Sequence, residues 1–235
     1  MSESTAEQYY EPVYDPNILA EKLVIFANHD SYRLRVLAAK HHNTPANTLR
    51  QLSHDRHVAI RYNVGANTSS PPDVLDALSK DSNRSVRGVV ASNTSTPGET
   101  LAVLAQSDVK KTRKRVGRNP NTPQEVLRQL STDKSDLVRR AVASNPNAPP
   151  DVLDLLSNSV TGIKNHVASN ISTPPEVLNR LSDDVNPGIR KKIACNLSTP
   201  KDTLEKLKVD TMEEVRYRAE TTLRQQAAKV CYNCI

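Results

Sequence analysis

The sequence predicts an all-helical solenoid of two-helix repeats, about seven to eight of them, each of 26 residues. Three observations carry that expectation. A marker proline recurs at Pro45, Pro71, Pro97, Pro123, Pro149, Pro174 and Pro200, stepping by 26 residues every time but one, where the step is 25. Four residues after each comes a leucine (Leu49, Leu75, Leu101, Leu127, Leu153, Leu178, Leu204), and three further on another (Leu52, Leu78, Leu104, Leu130, Leu156, Leu181, Leu207). The chain of 235 residues has one Phe and no Trp, so Ala, Val and Leu do the packing, as a narrow two-layer helical stack allows. Self-similarity at a period of 20–50 residues is the signature of repeat architectures.

Residues 1–15 carry Glu3, Glu7, Glu11 and Asp15 with no Lys or Arg, and hold Tyr9, Tyr10 and Tyr14. They read as a flexible lead-in or part of a cap, with folding back onto the basic body as the alternative. The solenoid is expected over 16–223, opening with a degenerate cap over 16–40. There Leu19 and Leu23 stand for a first helix, and Tyr32, Leu34, Val36, Leu37 and Ala38 for a second. Regular repeats fill 41–223, and 224–235 is expected to be a tail.

The cleanest repeat is Asn119–Ser144. Thr122 reads as an N-cap, Pro123 as the first helical residue and Glu125 as the acid of a capping box. Val126, Leu127 and Leu130 make one apolar stripe on a helix of about two turns, short enough to leave α and 3₁₀ geometry both open. A second helix starts near Ser135 with the stripe Val138, Ala141, Val142. It stops at Asn145, a residue type that tolerates the left-handed conformation. Asn recurs at that stop (Asn67, Asn93, Asn119, Asn145, Asn170, Asn196), with His41 in the first repeat. Turn chemistry is the expected role of these Asn residues. Neither helix is long enough to fold alone, so stacking must supply the stability.

The formal charge is +6. An acid stands ten residues after the proline at Asp55, Asp81, Asp133, Asp184 and Asp210, and a base opens each second helix, from Arg61 to Arg216. An Asp–Arg ladder between repeats explains most of these. The third repeat departs: Ser107 takes the acid's place, and its second helix carries Lys110, Lys111, Arg113, Lys114, Arg115 and Arg118. Together with Arg139, Arg140, Lys191 and Lys192 on equivalent helices, these are the candidate residues for binding a partner's carboxylates or phosphates. A solvated helix face is the alternative.

No glycine-rich phosphate loop, nucleophile elbow or paired-carboxylate motif is present, and the chain has six glycines in all. No catalytic residue, cofactor or metal site is therefore expected. His54 and His57 have metal-ligand spacing without a completing carboxylate or Cys, beside His41 and His42. Cys231 and Cys234 form a CxxC pair that cannot close a four-thiolate site alone, and Cys195 reads as a small helix residue. No apolar run approaches the ~18 residues of a membrane span, and the acidic N-terminus does not read as a signal peptide. Cytoplasmic residence is the expectation.

The aligned repeats resemble the leucine-rich repeat variant family. The motif that carries this is Asn-Pro-Asn-Thr-Pro-x-x-Val-Leu-x-x-Leu-Ser-x-Asp followed by Val-Arg-Arg-x-Val-Ala, here Asn119–Ala143. The resemblance implies alternating α and 3₁₀ helices in a right-handed superhelix without a β-sheet. The second-helix pattern is also similar to HEAT-like repeats. Some members hold an iron–sulfur centre on an N-terminal cysteine cluster, but this sequence has no cysteine before Cys195, so no cofactor carries over. HEAT-like DNA glycosylases use Asp with aromatics including Trp, which this chain lacks. The expected function is a non-catalytic scaffold for an acidic partner, a protein before a nucleic acid, with such an enzyme third.

Overall fold

The computed structural model describes residues 19–232, with side chains described through 228. The acidic N-terminal lead-in with its tyrosines, and the Cys231/Cys234 pair as a ligand set, lie outside what is described. Two compact units divide the chain, 1–121 and 122–235. Among the described residues there are sixteen helices and no strand. Unit one holds α1 (Ala20–Ala27), α2 (Tyr32–Lys40), α3 (Ala46–Leu52), α4 (Val58–Ala66), α5 (Pro72–Ser79), α6 (Arg84–Ser92), α7 (Gly98–Leu104) and α8 (Lys110–Arg118). Unit two holds α9 (Gln124–Ser131), α10 (Asp136–Ala143), α11 (Pro150–Ser157), α12 (Thr161–Ser169), α13 (Pro175–Leu181), α14 (Pro187–Cys195), α15 (Lys201–Leu207) and α16 (Glu213–Tyr232).

In each unit the second helices of successive repeats pack on one another: α2 on α4, α4 on α6, α6 on α8, and α10 on α12, α12 on α14, α14 on α16. Each first helix packs on the second helix of its own repeat. All fourteen ladder leucines are buried, as are the stripes Val126, Leu127, Leu130 and Val138, Ala141, Val142. A buried leucine contributes about 1.5–3 kcal/mol, and helices of seven to nine residues hold together only through such packing. The short first helices are α-helical. In the terminal cap Leu23 and Leu34 are buried while Leu19 is exposed. The last helix continues to Tyr232, so the segment expected as a tail from 224 is helical through that residue.

The capping box is overturned. Pro123 itself is the N-cap, at φ −58° and ψ 146°, with no side-chain cap bond, and the helix begins one residue later. Its fixed φ turns the chain into the helix. The hydroxyl before the proline serves the preceding helix instead. Thr96 Oγ1 donates to the Val90 carbonyl at 2.7 Å, Thr173 to Val167 at 2.6 Å and Thr199 to Ile193 at 2.7 Å, a second bond to last-turn carbonyls that also accept the N–H of Asn93, Asn170 and Asn196.

The left-handed reading of the Asn stops is also overturned: no described non-glycine residue has positive φ, and Asn119 is extended at φ −67°, ψ 126°. Asn67, Asn93, Asn119, Asn170 and Asn196 are buried clamps. Asn93 Nδ2 donates to the carbonyls of Gly65 and Asn67, 28 and 26 residues back, both at 2.9 Å. Asn119 does the same to Ala91 and Asn93, and Asn196 to Ala168 and Asn170. The expected turn chemistry is there too, in Oδ1, which accepts from the backbone N two residues on, as in Asn93 to Ser95. His41, in the first repeat, keeps that half of the role: its Nδ1 accepts from Asn43 N at 3.1 Å.

Candidate basic interface

The second helices face inward with their apolar stripe and open with the ladder base. Arg35 Nε reaches Asp55 at 2.7 Å, Arg61 reaches Asp81 at 2.6 Å, Lys164 reaches Asp184 at 2.8 Å and Arg190 reaches Asp210 at 2.6 Å, each twenty residues ahead. Burial alone would raise the Asp81 carboxyl, but hydrogen bonds from Arg61 and the Asn83 amide outweigh it and hold it below the usual carboxylate range. At Asp210 the Arg190 hydrogen bond is the largest influence and also lowers it. The ladder thus absorbs the bases Arg35, Arg61, Lys164 and Arg190 that open second helices.

α8 is different. Thr112, Arg113, Val116 and Gly117 form its buried side. Arg113, expected among the binding residues, is therefore turned inward, donating Nη1 to the Ser107 and Asp108 carbonyls at 2.9 and 3.2 Å. The other five cations lie outside the core. Lys111, Lys114, Arg115 and Arg118, spaced i, i+3, i+4, i+7, share one face. That face lines a cleft of about 370 Å³, completed by Ser92 at the end of α6 and by Asn119 and Pro120, with no acid in its lining. Among the described residues, Lys110, Lys111, Lys114, Arg115 and Arg118 make no ion pair. Like charges at helical spacing cost about 0.2–0.5 kcal/mol per pair, and Lys110 and Lys111 also sit in the first turn, where the helix dipole disfavours cations. An anion in the cleft relieves both.

Sequence reasoning missed what shapes this face. The Arg115 guanidinium comes close against α6 at Gly88, where a Cβ would stand 2.2 Å from Nη1. The signal was available as a glycine within a helical stripe.

In unit two, two of the four candidate bases are matched by acids. Arg139 pairs with Asp136, and Lys191 Nζ reaches Glu214 at 2.5 Å. Arg140 lies across Gly162, its Nη2 2.5 Å from where a Cβ would stand. Lys192 is exposed. Of the histidines, His54 Nδ1 is 3.0 Å from the Arg50 carbonyl and His57 Nδ1 is 3.1 Å from Asp55. Among the described residues no three or more His, Cys, Asp and Glu gather as a metal set. Nor is any described helix long and apolar enough to cross a membrane.

With the helix pairs and the leucine ladder established, the protein is an all-helical repeat scaffold. Residues 111–165 match the family described as Leucine Rich Repeat Variant domain, so the repeat type there is that of a leucine-rich repeat variant. The chain is similar in fold to a solved leucine-rich repeat variant described as having a novel repetitive structural motif, with TM-score 0.59 and 23% identity, covering 86% of this chain and 81% of that one. An engineered protein aligns at TM-score 0.41 and 17% identity over 87% of this chain and 77% of its own. A designed armadillo repeat protein aligns at 0.30 and 14% over 88% and 100%. Scores that low add nothing to the fold. No curated protein matches the chain significantly.

Proposed function

We propose that this protein is a non-catalytic scaffold that binds an acidic segment of a partner protein along α8. The observation that carries the reading is the cleft lined by Lys111, Lys114, Arg115 and Arg118 with no acid among its walls. Extended repeat surfaces suit partner binding, and a concentrated positive face selects an acidic partner and speeds its encounter. A protein segment is favoured over duplex nucleic acid by the compactness of the charge. The nine residues of α8 span about 14 Å, and in unit two Asp136 and Glu214 pair with two of the four candidate bases. Backbone-tracking duplex binders rely on about 6–10 phosphate contacts.

A titration of labelled polyglutamate and of labelled duplex DNA at several salt concentrations tests this. Polyglutamate should bind at low salt, lose affinity in Lys111→Glu/Arg115→Glu/Arg118→Glu, and keep it in Lys191→Glu/Lys192→Glu. Duplex bound more tightly than polyglutamate at equal salt would replace the protein partner by nucleic acid. Failure of both probes to bind at low salt overturns the reading.

A further inference from the structure

The ladder rungs are an internal template for how this protein holds a carboxylate. Arg61 sends Nε and Nη2 to Asp81 at 2.6 and 3.2 Å and Nη1 to the Asp55 carbonyl at 2.8 Å. Arg190 repeats this on Asp210 and the Asp184 carbonyl. The carboxylate also accepts from the backbone N two residues on, as Asp81 does from Asn83 at 2.7 Å.

In the third repeat the carboxylate's position is taken by Ser107, whose Oγ accepts from Val109 N at 3.2 Å. Arg87 keeps the carbonyl half of the pattern, with Nη1 on Asp81 and Ser82 at 2.7 and 3.0 Å. It also still acts on the Asp81 carboxylate of its own repeat. No carboxylate meets its Nε and Nη2 from the repeat ahead. A second rung is interrupted where Ser159 stands twenty residues beyond Arg139, but there Asp136 pairs with the arginine from its own helix. The residue three before Arg87 is Arg84, which repels instead. Arg87 is thus a half-buried guanidinium with the carbonyl contacts of a rung and no rung acid.

We infer that this open rung is a carboxylate subsite, filled by an Asp or Glu side chain of the acidic partner, extending its footprint from the α8 cleft to Arg87. The inference rests on the reading above and adds a residue to it. A hydrogen-bonded charge pair in such a partly desolvated place is stronger than one on the open surface.

The test uses the full chain and labelled polyglutamate at low salt. Arg87→Gln should weaken binding about tenfold, the size of one charge-assisted pair. Ser107→Asp closes the rung from within, so it should raise the melting temperature and weaken binding by a similar factor. Gln106→Asp, which places the same charge one residue away, should do less of both. In the Ser107→Asp background, Arg87→Gln should weaken the probe no further. Unchanged affinity in Arg87→Gln, or equal behaviour of Ser107→Asp and Gln106→Asp, overturns the subsite while leaving the α8 reading intact if the α8 reversal still abolishes binding. Absence of probe binding by the unaltered chain overturns both.

Discussion

α8 and α14 stand on the same frame and present opposite surfaces. Both end in a buried Asn that clamps the repeat behind, Asn119 on Ala91 and Asn93, Asn196 on Ala168 and Asn170. Both follow a first helix anchored by fully buried leucines, Leu101 and Leu178. On α14 two of the three bases find acids: Arg190 meets Asp210, and Lys191 meets Glu214. On α8 five bases outside the core find none among the described residues. The stability of a repeat and the chemistry of its outer face are therefore set by separate positions. One can change without the other.

The largest test of this equivalence is core truncation. Leu101→Ala and Leu178→Ala should each destabilise by about 2–5 kcal/mol, as should Leu127→Ala, read by chemical unfolding. A cost confined to one unit would break the comparison. Next comes the clamp. Asn119→Ala and Asn196→Ala each strip the donor from two buried carbonyls, at about 1–3 kcal/mol for a group left unsatisfied, again measured by unfolding and again expected to match.

A smaller effect should separate rungs from open face. Asp81, Asp184 and Asp210 have carboxyls held below their ordinary values. A carboxyl that is more acidic folded than unfolded adds stability in full above its unfolded value, about 3.9, and loses it as pH falls through the folded value. Melting temperature should fall in that acidic range, and less so in Asp210→Asn, whereas reversing Lys111 should not alter the profile. Smallest of all is Gly88→Ala. The new methyl meets the far end of the Arg115 side chain, which can swing away. Melting should change little while polyglutamate binding weakens, and equal losses in both would tie the face to the frame after all.

What was legible in the sequence follows from the range of each interaction. The leucine ladder could be read because a buried position dictates its own residue type. The excess charge of α8 could be read because six bases face one acid. Arg113 stands in register with Arg61 and Arg190, so its inward course was implied by the same alignment that put it in the cluster. Thr122 and Pro123 were misread because a capping box is a rule about the next turn, whereas the hydroxyls of Thr96 and Thr173 answer to a helix that ended before them. The clamp left no trace at its far end, because its partners are backbone carbonyls, which every residue supplies.

That last property bears on how such a chain can lengthen. Asn93 and Asn196 grip main-chain oxygens 26 and 28 residues upstream, so a duplicated 26-residue segment would arrive with its joint to the preceding copy already specified, whatever that copy's outer residues had become. Growth by copying would need no compensating change at the seam. At the far end the polar grip passes to other side chains, with Thr222 donating to the Ala194 carbonyl and Gln226 to those of Leu197 and Thr199. α16 thus takes hold of the repeat behind it by main-chain oxygens as well, with side chains other than Asn.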